Sequence, residues 1–289
     1  MKKLLQTIYL AISQFLHESK IVNSIICLQH SYLPLPINLY YKLYSNKYIG
    51  LMFSWYGHHV YHHGYNKRMN DIEYWSSEES LYYYCISQSQ PREAELNAIF
   101  SRIDLTELLE NPETIVLDLG CGTMKDIRKL IAEGDLRSRN VYGVDYNEVL
   151  TKYFALIGGL PNGVEYRFGV IQEEIEKIGV IDLVFILGGT LQYIPRRDVI
   201  IVLEKLKEQG VKAIIIIGEG SEREDYLHKT GVWVYQLTQL IRDAGYGEIW
   251  QEDFETKVGG EFTFWFCFDK EKIHRRNNCG LPPPISKKF

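Results

Sequence analysis

Ile115-Val116-Leu117-Asp118-Leu119-Gly120-Cys121-Gly122-Thr123 decides the reading of this chain. Three apolar residues, an acid and two glycines one residue apart describe a buried strand, a tight turn and the mouth of a helix. The helix itself follows, with Ile127, Leu130 and Ile131 on one face and Gly134 to close it. Glycine serves where backbone turns sharply or passes close to a ligand. A nucleotide-type binding turn at the carboxyl end of a strand is therefore expected.

A second short strand, Val141-Tyr142-Gly143-Val144-Asp145, also ends in an acid. A carboxylate there can accept hydrogen bonds from both ribose hydroxyls of an adenosine lying across the first strand's tip. Two ligand classes compete. A dinucleotide turn calls for a third glycine three residues after the second, and Lys125 stands there. It also needs the first residues of the next helix free to meet a pyrophosphate. Asp118, just ahead of the glycines, suits a cationic amino-acid tail better. A ligand with adenosine at one end and an amino acid at the other is S-adenosylmethionine.

On the turn Asp118, Gly120, Gly122 and the acid-ending strand at Asp145, residues 115 to 268 resemble the catalytic domain of the class I S-adenosylmethionine-dependent methyltransferases, of the small-molecule type. The resemblance implies an α/β fold: a doubly wound, Rossmann-like, seven-stranded sheet whose last strand is antiparallel. It also implies the cofactor contacts. Gly120, Cys121 and Gly122 would bring backbone to the amino-acid tail, with Asp118 for its ammonium. Asp145 would take the ribose hydroxyls, Tyr146 would pack on adenine, and Val170, Ile171 and Gly188 would complete the wall. The family often has an acid at the third strand's end where this chain has Val170, which leaves Gln172 as a polar partner. Met124 replaces the family's third glycine.

The surrounding pattern agrees with alternating strands and helices. A helix is expected over roughly 92–109, and strands near 115–119, 140–144, 164–168, 181–187 and 211–217. A helix over 197–208 carries Val199, Val202, Leu203 and Leu206 on one face. Another carries Trp233, Leu237, Leu240, Ile241 and Ala244 and ends at Gly245. Such alternation calls for a parallel sheet covered on both sides. Glu248–Phe254 and Glu261–Phe268, joined through Gly259-Gly260, form an antiparallel hairpin that closes it. Three regions result: a helical, aromatic-rich N-terminal extension over 1–90, a cofactor-binding domain over 91–270, and a basic, proline-containing tail over 271–289.

The extension holds 13 of the 21 tyrosines and the run Trp55-Tyr56-Gly57-His58-His59-Val60-Tyr61-His62-His63-Gly64-Tyr65. Three readings of this run stand side by side. It is a lid, with one of His58, His59, His62, His63 or Tyr65 as general base and Tyr56 and Tyr61 against the substrate; an imidazole titrates near neutrality. It is a metal site built on His58/His62 and His59/His63 four apart, against which the lack of any acid and the chemistry both speak. Or it is a packed aromatic segment. The lid is preferred, with no metal. Beyond the fourth strand, Thr190, Gln192 and Tyr193 are placed to touch a small acceptor. The Asn/Asp-Pro-Pro-Tyr motif of base and glutamine methylation is absent there, as is a proline-cysteine pair.

A net charge of −5 and a pI near 5.9 argue against a general nucleic-acid binder. Five scattered cysteines without a Cys-x-x-Cys pair indicate neither a disulfide framework nor structural zinc, and suggest a cytoplasmic compartment. No apolar run reaches the ~20 residues needed to span a bilayer. Leu4, Leu5, Ile8, Ile12, Phe15 and Leu16 share a helical face; peripheral membrane contact, a homo-oligomer or packing on the chain's own core would each use it. A methyltransferase acting on protein or RNA, or a non-catalytic subunit retaining the fold, are the alternatives to a small-molecule enzyme.

Overall fold

The computed structural model describes residues 92–218 without a break, then 220–221, 224–227, 233–246, 249–255 and 261–268, and the single residues Leu39 and Ser76. Along these residues the helices are α1 (Glu93–Arg102), α2 (Thr106–Glu110), α3 (Lys125–Glu133), α4 (Leu150–Leu156), α5 (Ile171–Ile178), α6 (Arg196–Glu208) and α7 (Leu237–Asp243). The strands are β1 (Ile115–Leu119), β2 (Asn140–Asp145), β3 (Val164–Phe168), β4 (Leu183–Ile186), β5 (Ala213–Gly218), β6 (Tyr226–Leu227), β7 (Trp233–Val234), β8 (Ile249–Glu255) and β9 (Glu261–Phe268). A 3-10 turn spans Thr190–Tyr193.

The chain divides into two compact units, one of residues 1–90 with 149–158 and one of 91–148 with 159–289. The first contributes α4, where Leu150 and Phe154 are buried and Tyr153 meets Phe154 edge-on. The second contains the sheet, ordered β3-β2-β1-β4-β5-β9-β8. The first five strands are parallel, and β9 is antiparallel to both β5 and β8. The architecture is therefore doubly wound and Rossmann-like. Val116 pairs with Val141 on one side and Leu183 on the other, so β1 stands at the point where the strand order reverses. Ligands of such sheets bind in the crevice beyond the carboxyl ends at that point.

The central strands explain themselves. Leu-Val-Phe-Ile in β4 and Ala-Ile-Ile-Ile-Ile-Gly in β5 are buried throughout, because helices cover both faces of a parallel sheet. At the edge, Val-Glu-Tyr-Arg-Phe in β3 is partly exposed and carries charge, which discourages further pairing. On one face Leu117, Leu119, Val184, Ile186, Ile214 and Ile216 pack against Ile175 of α5, Val199, Val202, Leu203 and Leu206 of α6, and Leu237, Leu240 and Ile241 of α7. Each such side chain, fully buried, stabilises the fold by about 1.5–3 kcal/mol.

Two expectations are corrected. The helix expected over 92–109 is two helices, because Ile103 turns extended and the Asp104 carboxylate accepts the Thr106 N–H at 3.2 Å. Trp233 is not on the last helix. It pairs with Leu227 in the small hairpin of β6 and β7, and α7 begins only at Leu237. The expected N-terminal extension (1–90, but for Leu39 and Ser76) and the tail (271–289) lie outside the described residues.

Candidate cofactor site

The turn leaving β1 is built from backbone that few side chains tolerate. Gly120 and Gly122 have φ of 63° and 49°. The N–H groups of Gly120 and Cys121 both donate to the Val144 carbonyl, at 2.8 and 3.1 Å, which ties the turn to the tip of β2. A Cβ at Gly120 would collide with the Thr190 side chain, so glycine here lets the loop beyond β4 close onto the turn. Met124 is the one non-glycine among the described residues with positive φ, at 51°. That conformation costs roughly 1–2 kcal/mol. Its side chain is buried, and a Cβ at Gly143 would collide with its Sδ. Gly143 thus makes the room that Met124 occupies.

Three buried carboxylates surround the turn. Asp118, at the end of β1, is 3% exposed. Burial above all raises its carboxyl well above the usual range; Asp126 and Asp145 add to this, and the Arg92 guanidinium opposes it. Asp145 accepts the Gly122 N–H at 2.9 Å on Oδ2 and the Asn147 N–H at 3.0 Å on Oδ1. Burial still pushes it up to about 6, with those N–H groups working the other way. Asp126, in the first turn of α3, accepts the Arg92 N–H at 2.6 Å and the Arg92 guanidinium at 3.0 Å. The same guanidinium lies against Gly188 at the end of β4, where a Cβ would fall 2.7 Å from its Nη2. Arg92 thus stands among three acids at the reversal point, with Lys125 beside Asp126 as a second cation. Cys121 is buried, and its thiol is raised by burial, which makes it a packing residue rather than a nucleophile.

Beside the acids lies an apolar rim. Tyr146 and Phe168, at the tips of β2 and β3, have ring centroids 5.8 Å apart, and both are exposed with Val170. Gly169 carries the chain into α5. A Cβ there would meet Glu174 Oε1 at 2.7 Å, so a buried acid reaches the third strand's tip from one turn into the helix. Glu174 also accepts from Lys177 Nζ at 2.6 Å. Ile171 opens α5 and packs against the core.

Past β4, Gly188 and Gly189 have φ of 74° and 78°, and Gln192 Oε1 lies in the space a side chain on Gly189 would fill. The Thr190 hydroxyl donates to the Leu187 carbonyl at 3.0 Å, so it is committed to holding the loop. Tyr193 is half-buried in the 3-10 turn.

Of the residues expected from the sequence, the structure brings together Asp118, Gly120, Cys121, Gly122, Asp145, Gly188 and Thr190 around the turn. Tyr146 and Val170 form the rim. Tyr56, His58, His59, Tyr61, His62, His63 and Tyr65 lie outside the described residues. Sequence reading missed Arg92, Asp126, Glu174 and the Met124–Gly143 pair. An acid in the first turn of a helix was a signal for Asp126; nothing local pointed to Arg92, whose partner is 34 residues away. Among the described residues no group of three acids, histidines or cysteines could hold a metal, and no helix is long and apolar enough to cross a membrane.

No family model matches this chain. No curated protein matches it either. Among solved structures, the glycopeptide N-methyltransferase MtfA complexed with S-adenosylhomocysteine is similar over 62% of this chain and 90% of its own, at 10% identity and a TM-score of 0.46. The DhpI–S-adenosylhomocysteine complex is similar over 71% and 97%, at 19% identity and 0.44. An S-adenosylmethionine-dependent methyltransferase from Mesorhizobium loti is similar over 61% and 98%, at 16% and 0.43. These are distant likenesses; the strand order and the residues at the strand tips stand on this chain's own geometry.

Proposed function

We propose that the chain is an S-adenosylmethionine-dependent methyltransferase that passes the methyl to a small-molecule acceptor. The observation that carries this reading is the buried Asp118 carboxylate at the sheet's reversal point, beside a glycine turn and one strand away from Asp145. A carboxylate held away from water, with Asp126 and Asp145 nearby, gains from an arriving cation. A pyrophosphate would draw no such gain from Asp118.

The remaining residues fit the rest of such a ligand. Arg92 supports a carboxylate beside the ammonium that Asp118 would hold. Gly120, Cys121 and Gly122 supply close backbone. Asp145 accepts from ribose hydroxyls with the lone pairs its N–H partners leave. Tyr146, Phe168 and Val170 cover an adenine ring, with Ile171 and Gln172 at its edge and Gly188 on the tail side. The cofactor supplies, when bound, a methyl on a positively charged sulfur that departs as a neutral thioether. The chain then has to orient an acceptor, exclude water and remove a proton where the acceptor carries one. Gln192 and Tyr193 are assigned to the acceptor's side, on the loop that Thr190 holds. The general base, where one is needed, is sought by sequence alone among His58, His59, His62, His63 and Tyr65, which lie outside the described residues.

Calorimetry decides the reading. S-adenosylhomocysteine should bind saturably to the full chain and NADH should not. Asp118→Asn should weaken the first about 10-fold or more, from the lost charge-assisted contact. Binding of NADH instead, or of neither, overturns it.

A further inference from the structure

Eight large apolar side chains are exposed among the described residues, and six of them fall into two groups. Tyr146, Phe168 and Val170 form the rim at β2 and β3. Tyr226, Leu227 and Trp233 belong to the β6–β7 hairpin, which follows β5 on the other side of the reversal point. A sheet of this kind has two halves at its carboxyl edge, and the first is already assigned to adenosine.

The hairpin is anchored to the loop beyond β4. The Tyr235 hydroxyl donates to the Ile194 carbonyl at 2.7 Å, and Arg196 Nε donates to Asp225 Oδ2 at 2.8 Å. Asp225 Oδ1 accepts the Gln236 N–H at 2.7 Å, and the Ser221 N–H donates to the Tyr235 carbonyl at 2.9 Å. Leu227 pairs with Trp233 and so shares its face of the hairpin. The Trp233 ring lies parallel to the buried Tyr235 ring, at 8° and 6.2 Å between centroids. Tyrosine backs one side of the indole, and 43% of Trp233 is exposed. Among the described residues the Leu227–Trp233–Tyr235 row is apolar and aromatic, and the charged pair nearest it, Arg196 and Asp225, is closed on itself.

We propose that Trp233, with Leu227 beside it, is the shelf on which a planar aromatic acceptor stacks. The proposal rests on the methyltransferase reading and names its substrate class. A flat ring continues the Trp233–Tyr235 stack, whereas a saturated ring of equal size loses the face-to-face contact.

The probes are 2-naphthol and decahydro-2-naphthol, observed by saturation-transfer NMR on the full chain with S-adenosylhomocysteine in excess. The aromatic probe should bind and the saturated one should not. Trp233→Ala should lose that binding at least 5-fold, Trp233→Phe should keep most of it, and both variants should bind S-adenosylhomocysteine as the parent does. Equal binding of the two probes overturns the shelf, as does indifference to Trp233→Ala. Joint loss of both ligands in Trp233→Ala, or a dimer in sedimentation that Trp233→Ala dissolves, also overturns it and makes the face structural. Failure of S-adenosylhomocysteine to bind the parent chain sinks the cofactor reading and is read separately from the naphthol signal.

Discussion

Asp145 Oδ2 accepts the Gly122 N–H at 2.9 Å, so the carboxylate at the tip of β2 holds the turn that leaves β1. Its other oxygen holds Asn147, whose carbonyl in turn accepts from the Tyr166 hydroxyl at 2.5 Å. One buried acid therefore organises two loops before any ligand arrives. Burial opposes its charge, and the loops depend on that charge.

The balance sets a pH dependence. Asp145 titrates near 3.8 ordinarily and about 6 in the folded chain. Between those values the folded state binds a proton that the unfolded state has released. The contribution of Asp145 to stability therefore falls as pH rises from about 4 to about 6, and is level above. Denaturant melts of the parent and Asp145→Asn should show the parent losing roughly 2–3 kcal/mol relative to the variant across that window. A constant difference would mean that Asp145 is not raised.

Ligand hydroxyls donate best to the charged form of the same group. Affinity for S-adenosylhomocysteine should rise with pH through about 6, and calorimetry in buffers of different ionisation enthalpy should detect proton release near that pH. Proton uptake, or no exchange, would remove Asp145 from the ligand's contacts.

Arg92 can be separated from its acidic neighbours by choice of ligand. Arg92→Met should weaken S-adenosylhomocysteine by about 1–3 kcal/mol, because a charge-assisted contact to the ligand's carboxylate is lost. It should leave 5′-methylthioadenosine, which has no amino-acid tail, nearly unchanged. Equal loss for both ligands would show that Arg92 acts only through its pairing with Asp126.

A side chain at Gly143 must displace Met124, whose Sδ the new Cβ would strike, and press on Cys121 Sγ at 2.9 Å. Gly143→Val should destabilise the fold by about 1–3 kcal/mol in thermal or denaturant unfolding, from overpacking. Met124→Ala in the same chain should recover a good part of that, so the two changes should be strongly non-additive. Additive effects would show that the introduced valine side chain collides with something other than Met124.

The hairpin's anchor is testable without any ligand. Tyr235→Phe strands the Ile194 carbonyl and should cost about 1–2 kcal/mol, with faster amide exchange at Val234 and Tyr235 than in the parent. The exchange at β1 and β4 should stay as it was.

The sheet was readable because its middle strands are buried on both faces and so appear as unbroken apolar runs, with acids and glycines only at their tips. The helices were readable where one face packs on that sheet, as at Val199, Val202, Leu203 and Leu206. The break at Ile103–Leu105 was hidden because both residues are buried, so the apolar rhythm continues through it. Trp233 falls at helical spacing from Leu237 and Leu240, yet the Asp225 carboxylate, by taking the Gln236 N–H, caps the chain just before α7 and leaves Trp233 in the hairpin. In the site, the acids and glycines that act through their own backbone neighbourhood were legible. Arg92 and Glu174 were not, because each reaches its place through a long side chain whose target no short window of sequence contains.

The left-handed methionine and its facing glycine constrain each other's size. The small residue sits on the adjoining strand, and a bulky one occupies the turn. Neither position can change alone: a larger residue at 143 needs a smaller one at 124, and Cys121 Sγ still limits what 143 can hold. The two residues therefore behave as one steric unit that spans a turn and the strand beside it.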